Sequence, residues 1–241
     1  MGLFLQDLQN RAFDFLVGTS IGKYGARLWH QYGPSISIPR KIYGLKVYFD
    51  LRDNIAYVLS STVRLETGEP MFNMLSSFEG MVWDVGSNVG MFSLRAASLG
   101  HKVISFDISK KALELLELGA RKNKLKVVVV EGAFSTKTFS YEAITSASTE
   151  NRVKIKEGGI NKSITYLEAA KLFGIPRLIK MDIEGGELEF LESEEFKDWI
   201  ITNKIIWVVE IHDALYQEKL WTECCLRKLD STHFLLSAIP H

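Results

Sequence analysis

The chain has 241 residues, of which 46% are hydrophobic, enough for one large α/β domain or for a domain with an N-terminal extension. Lys plus Arg and Asp plus Glu number 29 each, so the formal net charge is zero. Phosphate neutralisation dominates affinity for nucleic acid, so this balance argues against a nucleic-acid partner. The two cysteines, Cys224 and Cys225, are adjacent and form neither a disulfide framework nor a metal-ligand pattern, which favours a reduced, cytoplasmic setting.

The first 80 residues predict a helical segment and a hairpin that pack on a core domain. Apolar residues recur at helical spacing near the N-terminus, and this amphipathic helix is expected to cover the domain or to join two copies as a homodimer. No stretch has the roughly eighteen apolar residues of a membrane span, and no basic region suggests a signal peptide. Two short strands, 45–51 and 55–60, are predicted to form the hairpin, followed by a helix over 71–77.

Strand and helix patterns alternate from residue 81 to residue 241, which marks this part as the core domain. The alternation predicts an α/β fold with a doubly wound, mostly parallel, Rossmann-like sheet, in which ligands bind at the carboxyl ends of the strands. The β-branched run over 125–130 predicts a strand buried on both faces. The other predicted strands are 81–85, 102–106, 138–143, 153–156, 177–181, 205–211 and 234–238, and the predicted helices are 88–99, 109–123, 166–173, 186–199 and 216–229.

The turn after the first core strand carries the strongest signal for a cofactor. Asp84 precedes Gly86, Asn88 and Gly90, and the next strand ends in Asp107. The glycines let the backbone approach a ligand, and an acid at the second strand end can accept hydrogen bonds from both ribose hydroxyls. Asp84 would repel the pyrophosphate of a dinucleotide, but it suits the ammonium or sulfonium group of S-adenosyl-L-methionine. The candidate cofactor-binding residues are Asp84, Gly86, Ser87, Asn88, Gly90, Asp107, Ile108 and Ala133.

A second motif, at the end of the fourth core strand, indicates a family. The run Lys180-x-Asp182-x-Glu184-Gly185-x-Glu187, together with the glycine turn, resembles the FkbM family of S-adenosylmethionine-dependent methyltransferases. The segment 207–212, with its E-x-H ending, is similar to the family's fifth strand, and the resemblance covers roughly residues 45–215. It implies the class I methyltransferase fold. Class I sheets end with two antiparallel strands, whereas one clear strand is predicted after His212, so the sheet is expected to be short by one strand or divided differently.

The resemblance also implies the chemistry of methyl transfer to an acceptor. An alcohol acceptor must lose a proton, and His212 has the side chain best suited to take it near neutral pH. The alternative is that His212 is a hydrogen-bonded histidine at a strand end with no part in the chemistry. Asp182 and Glu184 are expected to orient the acceptor or to help deprotonate it. Asp182, Glu184 and Glu210 could instead hold a divalent cation, but we predict that no metal is used. The candidate catalytic residues are therefore His212, Glu184 and Asp182.

The predicted function is O-methylation of a hydroxyl on a small molecule or a glycan. One alternative is a regulatory or interaction protein that binds the cofactor without turnover, although such a protein has no need to keep the strand-end acids together. The other is methylation of an RNA base, which the neutral charge and the lack of an N-P-P-Y-like strand end disfavour. The acceptor pocket is expected to be lined by the N-terminal segment and the polar stretch 135–163, and neither carries a recognisable motif.

Overall fold

The structure is a computed structural model of the chain, and it describes residues 28–59, 70–144, 152–155, 159–183, 185–211, 225–229 and 232–237. The predicted N-terminal helix and the homodimer that it would form lie outside the described residues, as do Glu184 and His212. None of the helices in the described ranges has the length and apolar character needed to cross a bilayer.

The described residues form fourteen strands and seven helices, numbered in chain order. The strands are β1 (Ser37–Ile42), β2 (Leu45–Asp50), β3 (Met81–Val85), β4 (Lys102–Asp107), β5 (Val127–Glu131), β6 (Phe134–Ser135), β7 (Ser140–Ile144), β8 (Arg152–Ile155), β9 (Asn161–Lys162), β10 (Ile164–Thr165), β11 (Leu178–Met181), β12 (Ile206–Glu210), β13 (Cys225–Lys228) and β14 (His233–Ser237). The helices are α1 (Ile55–Leu59), α2 (Pro70–Met74), α3 (Met91–Ser98), α4 (Lys110–Asn123), α5 (Tyr166–Phe173), α6 (Glu187–Leu191) and α7 (Glu194–Thr202).

Seven strands form the central sheet in the order β13-β14-β12-β11-β3-β4-β5. The five strands from β12 to β5 are parallel, and β14 and β13 are added antiparallel at one side. The sheet therefore has both final antiparallel strands, and the expected shortfall of a strand was wrong. The prediction of a helix over 216–229 was also wrong for its last residues, because Cys225–Lys228 pairs with β14 as an edge strand. The alternation-based prediction of a doubly wound, mostly parallel sheet is confirmed.

Successive side chains of a strand point to opposite faces of the sheet. Both faces are buried, because helices pack against each of them. Val82, Val103 and Leu178 pack on one face with α2 and α3. On the other face Trp83 and Trp207 pack among the aromatic rings of α5, α6 and α7. The strand β5 departs from this pattern. It was predicted to be buried on both faces, but it is the edge strand, and Val128 is 44% exposed.

The N-terminal hairpin lies earlier in the chain than the sequence predicted. It is formed by β1 and β2 around Tyr43 and Gly44, which both have positive φ angles, as a tight hairpin turn requires. Residues 55–59, predicted as a strand, form α1. Asp50 explains this change of direction, because its carboxylate accepts the backbone N–H groups of Arg52 and Asp53 and its burial is balanced by Lys111 of α4 at 3.0 Å. The hairpin thus packs on the helices that flank the cofactor turn.

The helix predicted over 186–199 is two helices. The hydroxyl of Ser193 accepts the N–H of Phe196 at 3.2 Å and begins α7, so the chain turns between α6 and α7. The polar stretch 135–163 contributes the predicted pair β7 and β8, and β9 adds a short third strand. These elements follow β5 in the chain, and Phe139, just before β7, lines the cavity at the carboxyl edge of the sheet, where ligands bind in this class of fold.

Candidate active site

A cavity of about 510 Å³ lies at the carboxyl edge of the sheet, within the size range of sites for small ligands. Its wall is made by residues that follow the parallel strands β3, β4, β5, β11 and β12, by His233 of β14, and by parts of the N-terminal extension. The rings of Phe49, Tyr57, Phe72 and Phe92 line the cavity together with charged side chains that include Asp107, Lys180 and Asp182. The lining therefore combines apolar and charged groups.

The glycine turn after β3 fits tightly against its neighbours. Gly86 and Gly90 have φ angles of 75° and 82°, a region that favours glycine. A Cβ atom on Gly86 would lie 1.7 Å from the carbonyl oxygen of Asp182, and one on Gly90 would lie 2.4 Å from the side chain of Leu116. The N–H groups of Gly86 and Ser87 donate to the carbonyl of Phe106, which fixes the turn against β4. The sequence pattern therefore corresponds to a backbone cradle that no side chain fills.

Asp107 lies at the cavity wall, at the end of β4. Its two carboxylate oxygens accept the N–H groups of Asn88 at 2.7 Å and Ser109 at 2.8 Å. Burial raises the pKa of Asp107, and these two backbone hydrogen bonds partly oppose that rise. Because each carboxylate oxygen has a second lone pair, the group can still accept a hydroxyl of a ribose. The predicted ribose contact is compatible with this geometry and stays a prediction.

The other predicted cofactor residues surround the same space. Gly86, Ser87, Asn88, Gly90, Ile108 and Ala133 all line the cavity. The Ser87 hydroxyl is buried and has no hydrogen-bond partner within the described residues, which is costly unless a ligand atom satisfies it. The N–H of Ala133 donates to the hydroxyl of Tyr141 at 3.0 Å, so this N–H is already engaged and is not offered to a ligand in the cavity. An open glycine cradle, an unsatisfied hydroxyl and a strand-end acid together fit a nucleoside cofactor.

Asp84 does not belong to the cavity wall. Its side chain is fully buried, its carboxylate accepts the hydroxyl of Ser93 at 2.5 Å, and the ammonium group of Lys180 lies 3.6 Å away. Direct contact with the cation of a cofactor, which the sequence suggested, is therefore not supported by this geometry. The reason is that a lysine from the neighbouring strand β11 already occupies the position of the expected cation. Burial raises the pKa of Asp84, and the charge of Lys180 opposes that rise.

Lys180 is the central residue that the sequence interpretation missed as a site residue. Its ammonium group is buried, lines the cavity, and donates to the carbonyl of Gly86 at 3.1 Å and to Asp182 at 3.2 Å. Burial would lower the pKa of Lys180, but the carboxylates of Asp182 and Asp84 raise it above its ordinary value. The signal was present in the sequence, since a lysine in an otherwise apolar buried strand needs a partner.

Three further polar groups follow the strand ends beside Lys180. Asp182, half-buried, is hydrogen-bonded to Glu210, whose carboxylate lies 3.5 Å from the imidazole of His233 and accepts the hydroxyl of Thr232 at 3.2 Å. Burial would raise the pKa of Asp182, but Lys180 and the hydrogen bond from Glu210 hold it below its usual value. His233 was not predicted, because only the antiparallel pairing of β12 and β14 places it opposite Glu210. The structure thus brings Asp182, Glu210 and His233 to one wall.

The turn between β11 and α6 is held by an acid with a structural role. Glu187 is buried, and its carboxylate accepts the N–H groups of Ile183 at 2.7 Å and Gly185 at 2.8 Å. Burial raises the pKa of Glu187, and these hydrogen bonds oppose the rise. Across the described ranges, no group of three or more His, Cys, Asp or Glu side chains is arranged to hold a metal ion.

The sheet order and the glycine cradle define the class I methyltransferase fold. A sequence profile described as the methyltransferase FkbM domain matches residues 84–240, and the chain belongs to this family. It therefore carries an S-adenosylmethionine-dependent methyltransferase domain, as the two motifs predicted. No curated protein matches the chain.

Solved structures of methyltransferases share the fold. The 16S rRNA N2 G1207 methyltransferase of T. thermophilus, in complex with AdoMet and guanosine, is 14% identical with a TM-score of 0.51, and the match covers 84% of this chain and 50% of that one. The tRNA (uracil-54, C5)-methyltransferase of Pyrococcus abyssi, in complex with S-adenosyl-L-homocysteine, is 12% identical with a TM-score of 0.46, covering 86% of this chain and 44% of that one. The chain thus spans about half the length of these two proteins. At 14% identity the likeness to the T. thermophilus structure shows the fold alone.

Proposed function

We propose that the protein transfers a methyl group from S-adenosylmethionine to a hydroxyl group of a small molecule or a glycan. The observation that carries the proposal is the continuity of the cavity. The cofactor cradle at β3 and β4 opens directly towards Asp182, Glu210 and His233. Residues from six neighbouring strands contribute to the wall, a span of about 24 Å at the usual strand spacing. This length accommodates a nucleoside and an acceptor side by side.

The cofactor half of the cavity has the chemistry to hold S-adenosylmethionine. We assign its binding to Gly86, Ser87, Asn88, Gly90, Asp107, Ile108 and Ala133. When bound, the cofactor supplies an electrophilic methyl group with a neutral thioether as its leaving group. The protein must then hold the acceptor oxygen in line with the carbon–sulfur bond, and positioning of this kind supplies several kcal/mol in general.

The polar half supports hydroxyl chemistry, because an alcohol must release its proton as its oxygen is methylated. Asp182 lies in this half, and Glu184 and His212 are assigned to it from the sequence motifs. The apolar rings that also line the cavity suit a compact organic acceptor more than a phosphate backbone, and the zero net charge supports the same choice.

The test is a transfer assay with methyl-labelled S-adenosylmethionine and a cell extract divided into small-molecule, lipid, glycan and RNA pools. We expect label in the small-molecule or glycan pool, in a bond that withstands mild alkali as an ether does and an ester does not. Label in RNA would assign the chain to nucleic-acid methylation. Calorimetric binding of the cofactor without transfer to any pool would identify a binding protein. The Asp107→Ala protein serves as the control for transfer that depends on the cofactor site.

A further inference from the structure

The pair formed by Glu210 and His233 is the least expected feature of the cavity. The two residues lie directly opposite each other on β12 and β14, and the Nε2 atom of His233 is 3.5 Å from a Glu210 carboxylate oxygen. The other Glu210 oxygen accepts the Thr232 hydroxyl at 3.2 Å, and the same hydroxyl lies 3.4 Å from Nδ1 of His233. His233 is 5% exposed, yet both members of the pair line the cavity.

The charges around this pair restrict where a proton can be held. Lys180 forms ion pairs with Asp84 and Asp182, and Asp182 is in turn hydrogen-bonded to Glu210. Two carboxylates in contact resist being ionised together. Since Lys180 stabilises the charged form of Asp182, the proton of the Asp182–Glu210 hydrogen bond lies on Glu210, and the imidazole of His233 beside it is placed to take up a further one. Glu187, another acid near Asp182 among the residues that the structure describes, is committed to two backbone N–H groups.

We propose that Glu210 and His233 together accept the proton that the acceptor hydroxyl loses during methyl transfer. This inference rests on the proposed function. In the step, the acceptor oxygen forms a bond to the methyl carbon, the carbon–sulfur bond breaks with its electron pair remaining on sulfur, and the O–H proton passes to the Glu210–His233 pair. The pair returns that proton to water when the products leave.

A second buried histidine shows what a purely structural imidazole looks like in this protein. His101 has both ring nitrogens against backbone carbonyls, with Nε2 2.8 Å from Leu75 and Nδ1 3.2 Å from Gly80, and its ring stacks on Phe78. Its hydrogen bonds hold main chain at the far end of the sheet. The imidazole of His233 instead faces an ionisable side chain at the cavity. The contrast identifies His101 as the matched control.

The experiment compares His233→Ala, His233→Asn, Glu210→Gln and His101→Ala in the full chain. Binding of S-adenosylhomocysteine is measured by calorimetry, and turnover is measured with labelled S-adenosylmethionine on the pool that the wild-type protein methylates. We expect His233→Ala and Glu210→Gln to bind S-adenosylhomocysteine within about threefold of wild type while turnover falls about 10²-fold. Added imidazole should restore part of the His233→Ala turnover, because it can occupy the vacated space, and should not change His101→Ala. If His233→Ala fails to fold, His233→Asn replaces it in the comparison, and its turnover should fall by the same factor.

Full turnover in the folded His233 variants, or in Glu210→Gln, overturns the inference. A loss that imidazole does not relieve in a folded His233→Ala protein also overturns it, and His212 then stays the candidate base. Loss of wild-type turnover on adding EDTA would show that the carboxylates serve a metal and would overturn it as well. If the wild-type protein methylates no hydroxyl in any pool, the proposed function fails first and this inference fails with it. The two failures are distinguished by the wild-type protein, which shows no turnover in the first case and full turnover when only the variants are defective.

Discussion

The two halves of the cavity are held by different forces. The cofactor half is shaped by backbone conformation, since Gly86 and Gly90 fit only without a side chain and Asp107 is hydrogen-bonded to main-chain N–H groups. The polar half is shaped by side-chain charges, with Lys180 between Asp84 and Asp182. We therefore expect the cofactor half to be disrupted by a change in side-chain size, and the polar half by a change in side-chain charge.

The largest expected effect is in the polar half. Lys180→Met leaves the fully buried Asp84 without its cation, and we expect a loss of about 3–5 kcal/mol in the free energy of unfolding at pH 7. Without the opposing charge of Lys180, burial raises the pKa of Asp84 in the folded variant further above its unfolded value. Its stability is therefore retained below the unfolded pKa and lost as pH rises through the folded pKa. Urea unfolding across pH measures this.

Lys102→Met is the matched control for this prediction, because Lys102 is an exposed lysine on β4, another parallel strand of the same sheet, and its ammonium group donates to the exposed carbonyl of Phe173. Its loss should change the free energy of unfolding by about 0.5 kcal/mol or less. Equal effects of the two substitutions would contradict the idea that charge pairing holds the polar half. Adding Asp84→Asn to Lys180→Met should recover part of the stability.

The next effect concerns affinity in the cofactor half. Asp107→Ala would remove the charge-assisted hydrogen bond that we propose to the ribose, worth about 1.5–3 kcal/mol, so the dissociation constant for S-adenosylhomocysteine should rise at least about tenfold. Calorimetry measures the affinity, and circular dichroism checks that the fold persists. Glu131→Ala, at the exposed end of the neighbouring strand β5, should leave the affinity unchanged. An unaltered constant in Asp107→Ala would limit that residue to holding the turn.

A steric prediction separates backbone strain from close packing. Gly86 and Gly100 both have positive φ angles, but a Cβ on Gly86 meets the Asp182 carbonyl whereas a Cβ on Gly100 meets nothing within 4 Å. Gly86→Ala should therefore be less stable than Gly100→Ala by about 1–3 kcal/mol, the usual cost of overpacking. Guanidinium unfolding of both proteins gives the difference. Equal stabilities would mean that β3 and β11 can separate without cost.

The smallest expected effect is at the hydroxyl that orients Glu210. Thr232→Val removes its hydrogen bond to the carboxylate and should lower the free energy of unfolding by about 1 kcal/mol. Thr202→Val, at the exposed end of α7, should lie close to wild type. If both variants unfold with the same midpoint, Thr232 contributes nothing measurable to the polar half.

Local patterns were sufficient to locate most of the core elements and the cofactor turn. The strand before Asp84, the helix capped by Ser109 and the acid at Asp107 depend on neighbours in sequence, and the structure places them as predicted. The hairpin at residues 37–50 was missed. The residues between the two predicted strands 45–51 and 55–60 do not form a hairpin turn, because the Asp50 carboxylate accepts the N–H groups of Arg52 and Asp53 and the chain continues into α1. The helix predicted over 216–229 was wrong at Cys225–Lys228, where pairing with β14 outweighed the helical spacing, and residues 216–224 lie outside the described residues.

The sequence by itself determined the class of fold, the cofactor and the edge of the sheet at which the cavity lies, because glycine turns, hydrophobic periods and strand-end acids are local properties. Only the tertiary structure decided that Lys180 neutralises Asp84, that β5 is an exposed edge, and that His233 faces Glu210. The physical reason is that ion pairing and burial depend on which strands become neighbours. That arrangement is fixed by the packing of the whole sheet and not by any single segment.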